Sequence, residues 1–265
     1  MDNAFKCTQC GKCCHNLNIP LSISEAKDWL LKGHKLKILT EATPWVNDTP
    51  VIEDVLIRKK SMTFDGLSGN LSIRVLLTLV GYFDDGCPNL DAHQNCSVYE
   101  SRPLTCRIYP FEMNPAIPLN PANKLCPSDA WQLPVLNAKS QANDPILIID
   151  ADTQINIQKI YHQSIADVES KKMLCLHLGI STCSLSNNGY LFHFVDQAEI
   201  LRCIQRIESI EIKQVLDPKN DLQKINWLIV TKNQDTLNDL ISVGGNASML
   251  QELAFTEQEF ISLHN

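Results

Sequence analysis

The sequence predicts an α+β protein: an irregular, loop-rich cysteine-cluster domain organised by metal over residues 1–130, followed by a small α+β region of unassigned function over residues 131–265. Three observations carry this. Segments with helical spacing of apolar residues are interspersed with segments that alternate apolar and polar. Eight of the 11 cysteines and all but three of the 13 prolines lie before residue 130. The stretch from Pro88 to Pro127 is crowded with Pro, Asn and Asp, and a loop region of that length needs something to organise it.

Element by element, Ser22 or Ser24 is a candidate N-cap for a helix through Leu31 that stops near Gly33. Val51 to Arg58 and Leu71 to Tyr82 are rich in Val, Ile and Leu and read as short strands, with Leu71 to Val75 alternating as a half-buried strand does. The loop region has room for a short helix around Val98 to Ser101. The second region opens on the apolar run Ile146 to Ile149, and a helix over 155–171 follows, with Ile157, Ile160, Tyr161, Ile165 and Val168 on its spacing. A strand at Gly189 to Phe194, a helix at Gln197 to Ile207, a strand at Asn226 to Thr231 and a helix at Thr236 to Val243 closed by Gly244-Gly245 complete the reading.

Composition narrows the function classes. A net charge of −7 argues against nucleic acid, whose phosphate backbone is bound by clustered Lys and Arg. No apolar run approaches the roughly 18 residues of a membrane span, so no membrane insertion is expected. The opening MDNAFKC lacks the basic start and apolar stretch of a secretory signal, which predicts a mature chain beginning there and a cytoplasmic location. In a reducing cytosol cysteines are kept free or committed to metals, and an odd number of them cannot pair fully, so metal binding is expected over a disulfide framework.

The block CTQCGKCC supplies Cys7, Cys10, Cys13 and Cys14. A C-x2-C pair turns both sulfurs toward one metal, and Gly11 directly after Cys10 suits the sharp turn of such a knuckle. Cys13 extends the series to C-x2-C-x2-C, the run that wraps iron–sulfur clusters in bacterial ferredoxins. The match stops at Cys14, because the ferredoxin pattern places its next cysteine after three further residues. Adjacent side chains point in different directions, so Cys13 and Cys14 are expected to serve different metal positions. Eight cysteines could supply two sites of four thiolates, with Cys87, Cys96, Cys106 and Cys126 completing what the first block begins; a bridged or single cluster with spare ligands is the alternative, and sequence does not apportion the ligands.

Several neighbours bear on such a centre. Arg102 and Arg107 would offset the negative charge of thiolates gathered around a cation. Cys87-Pro88 and Cys126-Pro127 fix the chain direction after a ligand. Tyr99 and Tyr109 read as packing around the loops, His15 as a surface or hydrogen-bonding group and His93 as solvated. Cys175, Cys183 and Cys203 have no motif spacing and read as structural thiols.

Cys7, Cys10, Gly11, Cys13 and Cys14, then Cys87, then Cys96-Ser97-Val98-Tyr99, Arg102-Pro103, Cys106-Arg107 and Tyr109-Pro110 together resemble the bacterial CxxCxxCC proteins, the YkgJ-like cysteine-cluster family of zinc- or iron-chelating domains. The resemblance covers the first half of the chain. It implies a metal centre, iron–sulfur or zinc, in a cytoplasmic protein of mostly undetermined activity. Some members resemble flagellin lysine N-methylases, which makes a protein-modifying enzyme the alternative. No strand followed by a glycine-rich nucleotide-binding turn supports it here. The expectation is therefore a metal-binding protein holding an iron–sulfur cluster of the 4Fe-4S type, or zinc, for electron transfer, sensing or structural support of a protein partner. Catalytic and organic-cofactor residues are not assigned.

Overall fold

The computed structural model describes residues 5–45, 54–114, 117, 119–131, 150–209, 225–250 and 258–263. The chain forms two compact units, each built from two stretches: Met1–Ile19 with Tyr82–Gln163, and Pro20–Gly81 with Ser164–Asn265. Helices and sheet are mixed, as the α+β class requires. Among the described residues no helix is long and apolar enough to cross a membrane.

The second unit is organised by a sheet that runs β1 (Ile19–Leu21), β4 (Leu71–Gly81), β2 (Leu36–Pro44), β5 (Thr182–Leu185), β7 (Leu228–Thr231), β8 (Ala247–Met249). Off this path β3 (Phe64–Ser68) pairs with β4, β6 (Gly189–His193) with β2, and β9 (Gln258–Ser262) with β6. The longest pairing is antiparallel, β2 on β4 from Leu36↔Gly81 to Pro44↔Ile73, whereas β5 joins β2 in parallel through Glu41↔Ser184 and Ala42↔Leu185. Ile38 of β2, Val75 and Leu79 of β4, Leu191 of β6 and Ile229 of β7 are fully buried in its core. Helix α7 (Gln197–Ser209) buries Ile200, Ile204 and Ile207, one stripe at helical spacing.

Helix α2 (Ile23–Leu31) starts where the sequence indicates, and Ser22 is its cap. Ser22 Oγ accepts from the Glu25 amide at 3.2 Å while the Glu25 carboxylate accepts from the Ser22 amide at 2.9 Å, a reciprocal capping box. The expected long helix over 155–171 is instead two, α5 (Ala151–Ala166) and α6 (Val168–Leu178), interrupted at Asp167. The buried Asp167 carboxylate accepts from the Ile23 amide at 2.8 Å, so it satisfies one of the amides that open α2.

The apolar segment read as a strand at 51–58 is helical where described, as α3 (Asp54–Ser61); residues 51–53 and the run 146–149 lie outside the described residues. Asp54 in the first turn and Arg58, Lys59 and Lys60 in the last complement the helix dipole, and Val55, Leu56 and Ile57 are exposed, so their hydrophobicity marks no buried strand. The buried Arg74 holds the end of α3 by donating to the Lys60 carbonyl at 2.6 Å, and it donates to Asp65 Oδ1 at 2.5 Å.

A buried polar chain crosses the sheet. Thr40 Oγ1 donates to the Thr182 carbonyl at 2.8 Å, so it accepts from His193 Nε2–H at 2.8 Å; His193 Nδ1 in turn accepts from Gln258 Nε2 at 3.2 Å. The imidazole is thereby fixed as the neutral Nε2–H tautomer, and burial pushes its pKa down to about 4.

Candidate metal centre

The first unit contains all eight cysteines of the expected cluster, four from each of its two chain stretches. Its N-terminal segment is anchored at one end. Phe5 forms an antiparallel bridge with Trp131, the Lys6 amide donates to the Ala130 carbonyl at 2.9 Å, and the Phe5 ring packs 5.1 Å from Trp131 and 6.2 Å from Phe111. Cys7 follows directly. The backbone then reverses in two steps, at Gln9 (φ 58°) and Gly11 (φ 70°), one within each C-x2-C interval. A Cβ on Gly11 would stand 2.6 Å from the Gln94 carbonyl oxygen, so both the conformation and the close approach require glycine there.

Cys13 and Cys14 open a single helical turn, α1 (Cys13–Asn16), held by the Cys14 amide donating to the Gly11 carbonyl at 2.8 Å. Successive residues on a helix are rotated by about 100°, yet Cys13 is the strongest influence on the Cys14 thiol beside it. The Cys14 carbonyl accepts from the Cys87 amide at 2.7 Å, which fastens the N-terminal block to the loop that begins at Cys87. His15 adds a second fastening, its Nε2 donating to Gln94 Oε1 at 2.8 Å, so its ring bonds an amide and not a thiol.

The loop folds back on itself. The Asp91 carboxylate accepts from the His93 and Asn95 amides at 2.8 and 2.9 Å, Ser97 donates twice to the Asn89 carbonyl at 2.8 Å, and Leu90 bridges Cys96. Cys96 is thereby returned toward Cys87. His93 is exposed, as the sequence indicates. The expected short helix is a 3-10 turn at Tyr99–Ser101, and the unexpected helix α4 (Leu104–Ile108) begins after Pro103 and carries Cys106. Tyr109 accepts from the Leu125 amide at 2.9 Å, next to Cys126, and Lys124 pairs with Glu112.

The two arginines have different roles. Arg107 is committed to backbone carbonyls, those of Arg102 at 2.9 Å and Glu100 at 2.7 Å. The Arg102 guanidinium stacks 3.6 Å from the Tyr99 ring centroid, and its charge favours the ionised forms of Cys14 and Cys106. Burial pushes the Tyr99 phenol upward, and Cys7 adds to the rise while Arg102 opposes it.

Charge coupling among the thiols follows the same layout. The Cys14 thiol is pushed up by the adjoining Cys13 thiol, then by burial. Burial pushes Cys106 up to about 12, and the neighbouring Cys87, Cys14 and Cys96 add to the rise. Cys87 is raised by burial and by Cys14 and Cys96, while the Asn89 amide groups oppose the rise. Burial pushes Cys126 up to about 11, with Cys7 and Cys10 raising it further and Lys124 opposing. Cys10 is exposed and the other seven are half-buried. Among the described residues no three Cys, His, Asp or Glu side chains close a coordination sphere as they stand. The donors are nevertheless all sulfur, seven of the eight are half-buried, and neighbouring thiols disfavour ionisation of Cys14, Cys87, Cys106 and Cys126. A thiophilic cation suits such a set, since it offsets the repulsion among thiolates.

Cys175 and Cys183 are fully buried in the second unit and raised by that burial, and Cys203 is half-buried. None has a charge coupling to the eight cysteines of the first unit among those that shift these groups.

Residues 6–127 match a family model described as "CxxCxxCC: Putative zinc- or iron-chelating domain". This region is a CxxCxxCC domain. The match contains all eight cysteines and extends through residues 20–81 of the second unit. No curated protein and no solved structure gives a significant match to the chain.

Proposed function

We propose that this CxxCxxCC domain holds an iron–sulfur centre, with zinc as the alternative occupant, through Cys7, Cys10, Cys13, Cys14, Cys87, Cys96, Cys106 and Cys126. The observation that carries the reading is the gathering of eight thiols from two distant chain stretches into one unit, with no histidine or carboxylate among the donors. The C-x2-C-x2-C repetition and the sulfur-only inventory favour iron; the C-x2-C-G knuckle is the feature zinc would share. An iron–sulfur cluster would supply one-electron chemistry, or crosslink the loops as zinc would. The protein's own part is to hold the knuckle against Gln94, to place Arg102 beside the thiols, and to keep seven of them partly out of water. Electron transfer, sensing and structural support of a protein partner are the roles such a centre serves.

Anaerobic purification with elemental analysis tests this. A brown protein with broad visible absorption, containing iron and labile sulfide, is the expected outcome. A colourless protein with stoichiometric zinc reverses the choice of metal, and a folded protein free of any metal refutes the function.

A further inference from the structure

We infer that Ser186, Glu41 and Lys59 form a nucleophilic site that cleaves carboxylic esters of apolar acyl groups. The three residues lie in the second unit, and the inference does not depend on the metal-binding reading above.

Their place in the sheet is one where ligands bind. Strands β2, β5, β7 and β8 run parallel to one another. From the carboxyl end of β2 the chain leaves for β3 and β4, on one side of β2, and after β5 it goes on to β7, on the other side. Ligands of sheets with parallel strands bind where neighbouring strands part in this way. Ser186 is the first residue after β5, and its amide donates to the Ala42 carbonyl at 2.8 Å. The turn that follows is held by the Asn188 amide donating to the Leu185 carbonyl at 3.0 Å and by Thr231 Oγ1 donating to Asn188 Oδ1 at 2.6 Å.

The Ser186 hydroxyl stands between two charged groups. Lys59 Nζ, from the last turn of α3, donates to Ser186 Oγ at 3.1 Å, and that oxygen donates to Glu41 Oε1 at 3.3 Å. Glu41 Oε2 takes no hydrogen bond from any described residue. A hydroxyl that donates to a carboxylate while accepting from an ammonium is set up as a nucleophile: the base takes the proton and the cation offsets the charge left on oxygen. Burial pushes the Glu41 carboxyl up, with Lys59 and Ser186 opposing, which makes the carboxylate a better proton acceptor.

The surroundings are apolar. Leu76 is the cross-strand partner of Glu41, and Leu39, two residues before Glu41, shares its face; both are half-buried. On α3, Val55 and Leu56 precede Lys59 by four and three residues, so they lie on its side of the helix, and both are exposed. Side chains that build no core thereby offer a seat for an acyl chain beside the nucleophile. In the reaction, Ser186 Oγ bonds to the ester carbonyl carbon as its proton passes to Glu41. The bond to the alcohol oxygen then breaks, and the alcohol leaves with that proton. Water gives a proton to Glu41 and attacks the acyl carbon, the bond to Oγ breaks, and Ser186 recovers the proton. Ester and water become acid and alcohol, and nothing is oxidised or reduced.

The test uses the full wild-type chain with a fluorophosphonate probe, mapped by tandem mass spectrometry, and p-nitrophenyl butyrate as substrate. The probe should label Ser186, and the ester should give a burst of nitrophenol followed by slower turnover. Ser186→Ala should abolish both. Glu41→Gln and Lys59→Met should each slow labelling roughly 100-fold or more, while Lys60→Met, at an exposed lysine next in sequence, should label at the wild-type rate. Replacing Val55 and Leu56 together by Ser should raise KM for the butyrate ester and leave kcat near wild type. Because Glu41→Gln or Lys59→Met can loosen α3, the wild-type chain decides: no label on Ser186, or hydrolysis that persists in Ser186→Ala, overturns the inference and shows the three side chains to be a tether of α3 to the sheet.

Discussion

Gly11 is the residue on which the N-terminal knuckle turns, and Gly11→Ala measures how much that turn contributes. The native φ of 70° is left-handed, which costs an L-residue about 1–2 kcal/mol. The new Cβ would also lie 2.6 Å from the Gln94 carbonyl oxygen. That oxygen is backbone and has little freedom to yield: Gln94 is itself at φ 63°, and its amide is bonded to the Asp91 carbonyl at 3.0 Å. Overpacking of this kind adds roughly 1–3 kcal/mol, so the knuckle loses about 2–5 kcal/mol. Where metal binding and folding are coupled, that loss appears as affinity. A competition titration with a chromogenic Zn²⁺ chelator should show Kd weakened roughly 30- to 3,000-fold, and hydrogen exchange should be faster through residues 87–97. Gly33→Ala is the control, because Gly33 has φ 76° with nothing within 4 Å of a new Cβ, so it bears the conformational cost alone and leaves the metal site untouched. Wild-type Kd and wild-type exchange in Gly11→Ala would refute the reasoning.

Other outcomes follow from single contacts. His193 has a folded pKa near 4 against an ordinary 6.5, so the unfolded chain takes up its proton first; stability from this residue is complete above pH 6.5 and falls by up to roughly 3 kcal/mol as pH drops toward 4. Urea unfolding of wild type and His193→Gln across that window should show the steeper loss in wild type, and equal slopes would count against the buried neutral imidazole. Removing Arg102 with Arg102→Met should slow alkylation of Cys14 and Cys106 in the metal-free protein near pH 8, whereas Arg107→Met should leave their rates near wild type; equal effects of both would contradict the different contacts of the two arginines. Ser22→Ala breaks the capping box of α2 and should cost about 1 kcal/mol in chemical unfolding, with Ser24→Ala near neutral. The reverse order would place the cap at the wrong serine.

How much of this was legible in the sequence depends on the range of the interaction involved. Helix α2 was readable because Ser22 and Glu25 are three residues apart, and α7 because Ile200, Ile204 and Ile207 follow one helical stripe. The helix at 54–61 was misread because Val55, Leu56 and Ile57 look like strand residues, and their exposure is a tertiary fact. The interruption at Asp167 depends on the amide of Ile23, far away in sequence, and carries no local signature. Strand β2 was overlooked although Leu36 to Ala42 offers an alternating pattern, weakened by the apolar pair Ile38-Leu39. For the metal centre, the spacing of the first four cysteines and the glycine after Cys10 announced the chemistry. The neighbours of each thiol were not readable, since hydrogen bonds such as Cys87 to Cys14 join residues whose separation no motif encodes.

The excursion of residues 20–81 into the second unit has a consequence for synthesis. More than seventy residues separate Cys14 from Cys87, so on a ribosome adding roughly 5–20 residues per second the nascent N-terminal thiols wait several seconds for their first downstream counterpart. Cys126 emerges later still. During that interval the nascent sulfurs are open to oxidants and to stray copper, and a centre held by all eight would be filled only after residue 126 has been made.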